Sequence, residues 1–404
     1  MLARRVLKFT TTGLQWVCQT RRWEEDRVDD QKPPSMWNSG VENIFYATTT
    51  WPNVKLWDNL LSTYLRRNLT DENDILRAFT GIMTNLTLGF PGKFHYGLPE
   101  LFFDASLLWR PQSYLERRIS TSGSVFPSWS WCGWKGKIRS GIGGFGLDHL
   151  RSDPVVVGRD QPIFTFSKII WYKTTFDLSE SIPIYNVWHV FRDGTMGSQF
   201  DPEKLLPYGW SLHQPEEGTA YYTYHAAPAY TFHYPIPTSY DWGTEPVGVW
   251  GSVLRFKTLR VWLTIGEALC FPYDSYDYDS DDDDDDSDES DRFGMHSLRN
   301  GENKQVGVIH LNIGTVDDLP VGERCELIML SDGLARNDPS EIKQYLPELA
   351  SGMGGEIGDV YEFCHVMWIE WKDGIAYRKA IGRVLCEVFQ DDKYGSMGIS
   401  VLLG

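Results

Sequence analysis

Hydrophobic and polar positions alternate near the start of the chain and then change period. Residues 4–10 and 14–19 alternate around Thr11-Thr12-Gly13, which predicts a β-hairpin. After a polar stretch over 24–50, apolar residues recur every three or four positions, the period of a helix that buries one face. We expect three helices: one over 54–65, one from a capping Thr70 to Leu86, and one from Pro99 to Trp109.

From residue 123 onward the pattern is typical of strands. The predicted strands cover 125–138, 163–172, 251–265, 305–313, 325–332, 360–371, 375–389 and 399–403. Asp373-Gly374 separates two of these runs, which is a strong signal for a tight hairpin turn. The segments 192–248 and 271–300 interrupt the pattern and are predicted to be irregular insertions.

These elements predict an α+β fold. A short N-terminal hairpin occupies residues 1–23, and a helical region of about three helices covers 24–122. A large, mainly antiparallel β region with the two insertions covers 123–404. The first 122 residues are not expected to form an independent domain.

Charge argues against several classes of function. Residues 274–291 contain 12 acidic and no basic residues, which is most of the net charge of −17, so the rest of the chain is only mildly acidic. No basic face is available for nucleic acid or for an anionic membrane surface. We read the acidic run as a solvated loop, with Ser280 as a possible site for an acidophilic kinase.

The location of the protein is predicted from its cysteines and its N-terminus. The six cysteines are widely spaced and include no C-x-x-C pair, which favours buried thiols in a reducing compartment over disulfides or a zinc site. No run of 18 apolar residues predicts a transmembrane helix. We therefore expect a cytoplasmic protein. The alternative is mitochondrial, because the first 23 residues are basic and contain no acid.

Motifs for catalysis and cofactors are weak. Residues 141–146 match G-x-G-x-x-G, but the segment before Pro154 is too short for the helix that a dinucleotide site needs. Cys364 and His365 are adjacent in a predicted strand, so their side chains should point to opposite faces. Nucleophile-elbow, P-loop and zinc-protease motifs do not occur. We predict no enzymatic activity, no cofactor, no metal and no identifiable small-molecule ligand, with protein partners possible.

The most distinctive string covers residues 126–134, FPSWSWCGW. As a strand it would place Trp129 and Trp131 on one face and Trp134 on the other, so we expect it to be buried on both sides. The chain has 17 Trp, and exposed aromatic rings can bind sugars by stacking. The alternative function is therefore that of a carbohydrate-binding or carbohydrate-active β protein.

This string resembles P-S-W-S-W-x-G-W, a hallmark of fungal heterokaryon-incompatibility (HET) proteins that lies just beyond the HET domain. Four further segments resemble the same family in the same order: 2–23, like the last hairpin of the HET domain; 69–81, LTDENDILRAFTG; 97–109, GLPELFFDASLLW; and 364–383, CHVMWIEWKDGIAYRKAIGR. The family-motif residues are Pro127, Ser128, Trp129, Ser130, Trp131, Gly133, Trp134, Glu370, Trp371, Gly374 and Arg378.

The resemblance implies a role in fungal non-self recognition and programmed cell death. A HET domain normally begins more than a hundred residues before the hairpin. Its R-x-W-T-x-Q-E signature normally lies near the end of the domain, just upstream of the segment that starts here at Leu2. We therefore expect a truncated or fragmentary member that lacks most of its HET domain. Any activity of that domain would lie in the missing part.

Overall fold

The computed structural model describes residues 5–10, 13–18, 22–24, 52–67, 69–87, 89–90, 92–112, 115–118, 126–139, 150–151, 163–193, 206–215, 220–225, 228, 230–236, 250–269, 294–311, 321–336, 346 and 360–404. The acidic run with Ser280 and the glycine motif at 141–146 lie outside these residues.

The N-terminal segment forms the expected hairpin and one additional strand. Strands β1 (Arg5–Thr10), β2 (Gly13–Cys18) and β3 (Arg22–Glu24) make a three-stranded antiparallel sheet. Leu7 and Phe9 alternate onto one face of β1, where they are 51% and 79% exposed. This sheet therefore presents apolar side chains to solvent.

The first two predicted helices are present. Helix α1 (Val54–Leu65) begins after Asn53, whose side chain accepts a hydrogen bond from the Leu56 N–H at 3.0 Å. Helix α2 (Ile75–Leu86) follows a 3₁₀ turn at Glu72–Asp74. Asp71 rather than Thr70 caps this turn, because its carboxylate accepts from the Asn73 N–H at 2.9 Å. The prediction of Thr70 as the cap was wrong by one residue.

The third predicted helix is much shorter than its apolar pattern suggested. A 3₁₀ turn at Glu100–Phe102 leads into a single helical turn, α3 (Phe103–Ser106). The segment is buried, and the Leu107 and Trp109 carbonyls accept hydrogen bonds from Arg378. The chain then enters a short strand at Arg110–Pro111, which pairs with Ile138–Arg139.

Short strands join the loops around this region in two-stranded ribbons. They are β4 (Phe94–His95) with β5 (Leu98–Pro99), β6 (Arg110–Pro111) with β9 (Ile138–Arg139), and β7 (Glu116–Arg117) with β8 (Trp134–Lys135).

A separate small sheet contains β10 (Leu150–Arg151), β14 (Trp210–His213), β15 (Tyr221–Tyr224) and β16 (Thr231–Phe232) in the order β10-β16-β15-β14. Helix α4 (Trp188–Asp193) lies between β10 and β14 in the sequence. The predicted insertion at 192–248 thus contains regular antiparallel structure, which was not expected.

The main sheet contains most of the strands. They are β11 (Ile163–Ser167), β12 (Tyr172–Thr175), β13 (Ser181–Pro183), β17 (Trp250–Ala268), β18 (Met295–Arg299), β19 (Gln305–Leu311), β20 (Arg324–Arg336), β21 (Val360–Lys372), β22 (Ile375–Leu385) and β23 (Met397–Leu403). Helix α5 (Glu387–Gln390) lies between the last two.

Six of these strands close into a ring. β17 pairs antiparallel with both β20 and β18, and the pairs β20–β21, β21–β22, β22–β19 and β19–β18 complete the circuit. One hydrophobic cluster comprises alternate residues of the ring strands, such as Val261, Leu263 and Ile265 of β17, together with Phe389 of α5. Alternation places these residues on one side of the strands, and we assign them to the interior of the ring.

The helices pack against the outside of this sheet. A second, larger cluster joins Trp57 and Phe79 of the helices to Phe256 and Leu403 of the sheet. The chain is therefore mostly β with few helices, which confirms the coarse fold class predicted from the sequence. No helix in the described residues is long and apolar enough to cross a membrane.

Several strand boundaries differ from the prediction. The predicted strand 163–172 is two strands, β11 and β12. The predicted insertion at 271–300 ends earlier, because β18 belongs to the main sheet. Asp373 and Gly374 form the expected hairpin turn with φ of 52° and 78°, and only a glycine or a small polar residue adopts this backbone readily.

Candidate functional site

The string FPSWSWCGW forms a buried turn, and the prediction of a strand over 125–138 was wrong. Trp131–Gly133 make a 3₁₀ turn that begins after Ser130. The Ser130 hydroxyl accepts a hydrogen bond from the Cys132 N–H at 3.3 Å, an arrangement that favours a cap over a strand. Pro127 and Ser128 to Trp134 are all buried, so the expectation of burial on every side was correct.

The polar atoms of this turn bond to main-chain carbonyls. Buried indole N–H groups need such acceptors. The donors are Trp129 Nε1 to Ser252 at 2.9 Å, Trp131 Nε1 to Gly97 at 3.3 Å, Trp134 Nε1 to Ser128 at 2.8 Å, and Ser130 Oγ to Tyr96 at 2.7 Å. The turn is therefore attached to the helical region and to the main sheet by directional bonds.

Gly97 must be a glycine for this attachment. Its φ is +84°, and a Cβ at this position would collide with the ring of Trp131. The glycine of the G-L-P pattern at 97–99 thus allows the backbone to lie close to the indole of Trp131.

Ser128 connects the turn to two distant strands. Its Oγ accepts a hydrogen bond from the Arg378 N–H in β22 at 2.8 Å and donates to the main-chain oxygen of Gly404. The Ser128 N–H also donates to the Gly404 oxygen at 3.0 Å. One buried serine thus satisfies backbone groups in two other segments.

Arg378 lies at the centre of the same contacts. Its guanidinium donates to the Leu107 carbonyl at 2.7 Å and to the Trp109 carbonyl, and it stacks on the Trp109 ring with 3.5 Å from Cζ to the ring centroid. Arg378 is only 1% exposed, and burial holds its pKa well below the usual value of an arginine. No carboxylate among the described residues pairs with it.

Trp109 also bonds back to the turn: its Nε1 donates to the Trp129 carbonyl at 2.9 Å. We call Trp109, Ser128, Trp129 and Arg378 the arginine junction. Sequence reasoning selected Ser128, Trp129 and Arg378 but missed the contact with Trp109. The sequence did contain one indication of this contact: Trp109 is the last residue of the family-like segment 97–109.

The remaining family-motif residues are in different places. Gly133 lies in the turn, where its carbonyl accepts from the Arg118 N–H at 2.9 Å. Glu370, Trp371 and Gly374 lie at the turn end of the β21–β22 hairpin, where Arg378 pairs with Ile369, the residue before Glu370. Glu370 pairs with Lys379 at 3.3 Å.

The arginine junction offers no reactive group. The Ser128 hydroxyl, the Trp109 N–H and two guanidinium nitrogens of Arg378 bond to the protein's own backbone, whereas Arg378 Nε is buried without a partner in the part of the chain that the structure describes. Burial raises the pKa of the neighbouring Cys132 thiol to about 12, so that thiol stays protonated. Among the described residues, no group of three His, Cys, Asp or Glu side chains could hold a metal ion. The junction holds segments together and has no groups arranged for chemistry.

Cys364 and His365 lie on opposite faces of β21, as alternation predicts. Cys364 belongs to the interior cluster of the ring, whereas His365 Nδ1 lies 3.1 Å from Ser331 Oγ on the other face. Burial and the charge of Arg383 lower the pKa of His365 well below its ordinary value. A positive neighbour opposes the imidazolium that a general base forms, so this Ser–His pair is poorly suited to nucleophilic catalysis.

A group of side chains around two exposed tryptophans has the composition of a binding surface, although Glu326 within it is buried. Trp262 and Trp371 are 40% and 39% exposed on β17 and β21, the two neighbours of β20. Between them, Glu326 accepts from Trp371 Nε1 at 3.0 Å and from Arg260 at 3.0 Å, and the Arg324 guanidinium lies 5.2 Å from the Trp262 ring. We call these five residues the tryptophan face.

Comparison of the chain with protein-family models, with curated proteins and with solved structures found no match.

Proposed function

We propose that this chain is the region of a heterokaryon-incompatibility family protein that follows the HET domain. In this proposal it supports fungal non-self recognition and programmed cell death as an interaction module and catalyses no reaction itself. The observation that carries the proposal is the arginine junction. Three family-like motifs supply Trp109, Ser128 and Arg378. Arg378 contacts both of the other residues, and Trp109 bonds to Trp129, the neighbour of Ser128, in one buried place.

The chemistry of the junction supports a non-catalytic role. A catalytic group must reach its substrate, and it needs a pKa suited to proton transfer or nucleophilic attack. The junction is closed to solvent, and its hydroxyl and guanidinium groups bond to backbone carbonyls. Buried and mutually bonded groups of this kind position segments relative to one another.

The proposal predicts two separable results in fungal hyphae. Expression of this 404-residue chain alone should leave hyphae viable. A fusion that places a complete HET domain before residue 1 should kill, and Arg378→Lys in the fusion should reduce killing because lysine cannot reproduce both carbonyl bonds and the stacking. Arg77→Lys, at an exposed arginine of α2, is the matched control.

Two outcomes would contradict the proposal. Cell death caused by the chain alone would show that it carries an activity of its own. Killing by the fusion that is equal with and without Arg378→Lys would show that the junction does not support the HET domain.

A second candidate function is glycan binding at the tryptophan face. Two exposed indoles flanked by planar, charged hydrogen-bonding groups match the mixed apolar and polar surface that sugars present. Wild-type protein should bind an insoluble polysaccharide or a glycan array, and Trp262→Ala should weaken that binding. Tyr208→Ala, at a 77% exposed aromatic in the turn before β14, should not. Absence of binding by the wild type to every glycan tested would refute this candidate.

A further inference from the structure

Two thiols meet at one end of the six-stranded ring. Cys364 is in β21, and Cys386 directly follows β22 and precedes α5. Their sulfurs are 2.7 Å apart, and the residues are 2% and 4% exposed. Non-bonded heavy atoms normally stay about 3.5–4.0 Å apart, whereas a disulfide measures about 2.05 Å. The two sulfurs are therefore closer to bonding distance than to an ordinary contact.

The backbone holds the two cysteines in this arrangement. Phe363 and Leu385 face each other in the β21–β22 ladder, and the Cys386 N–H donates to the Glu362 carbonyl at 3.3 Å. At Cys386 the backbone turns out of the strand with φ of −64° and ψ of −25°. Because the ladder pairs Cys364 with Val384 and the Cys386 N–H bonds to Glu362, both cysteines are held by the main chain, and the sulfurs can bond with little movement of it.

We propose that Cys364 and Cys386 are a site of reversible oxidation that forms an intramolecular disulfide. Both S–H bonds break, one S–S bond forms, and two protons and two electrons leave the protein. The oxidant is a peroxide, which is reduced to water or an alcohol, or a small disulfide, which is reduced to two thiols. A dithiol such as dithiothreitol reverses the reaction.

The surroundings determine how this site reacts. The neighbouring sulfur and burial both raise the pKa of Cys364, so the thiolate that attacks an oxidant is scarce at neutral pH. Cys386 precedes a helix of only four residues, and we expect opening of α5 to admit the oxidant. Oxidation should therefore be slow at pH 7 and faster at higher pH.

The disulfide would close the loop that contains most of the β21–β22 hairpin, including Arg378. Cross-linking a loop of this length restricts the unfolded chain, and we expect the thermal midpoint to rise by about 4 °C. Oxidation would thus reinforce the hairpin that carries the arginine junction.

The test measures the mass and thiol content of the folded, full-length protein. The protein is incubated with hydrogen peroxide or with oxidised glutathione at pH 8.5, then denatured and alkylated without reductant. The expected product is 2 Da lighter before alkylation, has two of its six thiols blocked, and yields one peptide linking Cys364 to Cys386. Dithiothreitol should restore all six thiols.

Variants separate this pair from other thiols. Cys364→Ala and Cys386→Ala should each abolish the 2 Da loss. Cys325→Ala, at a cysteine buried in the same interior cluster, should retain it. Because the wild-type peptide map requires no mutation, a variant that fails to fold does not prevent the test. Recovery of six free thiols after oxidant treatment, a disulfide between other cysteines, or oxygen addition to a single cysteine would each overturn the proposal.

Discussion

Replacing Ser128 with alanine tests the arginine junction directly. The change removes one oxygen atom that accepts from the Arg378 N–H at 2.8 Å and donates to the Gly404 oxygen. The Arg378 N–H is then buried without that acceptor, and an unsatisfied buried donor costs about 1–3 kcal/mol. The Gly404 oxygen loses the hydroxyl as a donor but keeps the hydrogen bond from the Ser128 N–H. We expect the free energy of unfolding to fall by about 2 kcal/mol.

The assay is urea unfolding of the full chain, followed by tryptophan fluorescence, which reports on the buried indoles around Ser128. A lower midpoint with an unchanged slope indicates lost stability of the same folded state. The matched control is Ser400→Ala, the same chemical change at an exposed position of β23, which should stay within about 0.5 kcal/mol of wild type. If Ser128→Ala were as stable as this control, the hydroxyl would contribute nothing and the junction argument would fail.

Three further predictions concern buried ionisable side chains. Arg378→Lys should lower the free energy of unfolding by about 2–4 kcal/mol, since lysine loses the stacking on Trp109 and one carbonyl bond, measured by the same urea titration. Glu100→Gln should cost about 3–5 kcal/mol in the same assay because it leaves Lys173, 2.6 Å away and buried, without its charged partner. Stability should fall as the pH drops from 6.5 to 5, because His310 and His365 have lowered pKa values in the folded state and the unfolded chain binds more protons.

Each of these predictions has its own control. Arg77→Lys changes an exposed arginine and should be nearly neutral. A double variant that replaces both Glu100 and Lys173 with methionine should be less destabilised than Glu100→Gln, because no buried charge remains. His310→Asn should reduce the slope of unfolding free energy against pH between pH 5 and 6.5. The reduction should correspond to at most one fewer proton taken up on unfolding. An unchanged pH dependence in this variant would mean that His310 is protonated equally in both states.

The sequence predicted elements whose signal is local. Alternation with period two identified most strands of the main sheet, and the three- and four-residue period identified α1 and α2. Asp373-Gly374 specified its own turn, because few residues adopt positive φ at two consecutive positions. Expected burial of the tryptophans at 129–134 followed from their apolar surface.

Predictions failed where long-range contacts outweigh local preference. The apolar run from Pro99 has a helical period, yet the helix is one turn long, and the chain continues into a short strand at Arg110–Pro111 that pairs with β9. The string at 126–134 looks like a strand, yet Ser130 caps a turn within it. The strand β18 was missed because it follows the acidic run directly and is short.

The sequence alone therefore determined the class of the fold, the main strands and the residues that belong in the core. Only the tertiary structure decided that six strands close into a ring, that Ser128 meets Arg378, and that Cys364 meets Cys386. The physical reason is that side-chain periodicity depends on neighbouring residues, whereas closure and pairing join positions up to 276 residues apart. Which of many compatible partners a buried hydroxyl, guanidinium or thiol finds depends on the packing of the whole chain.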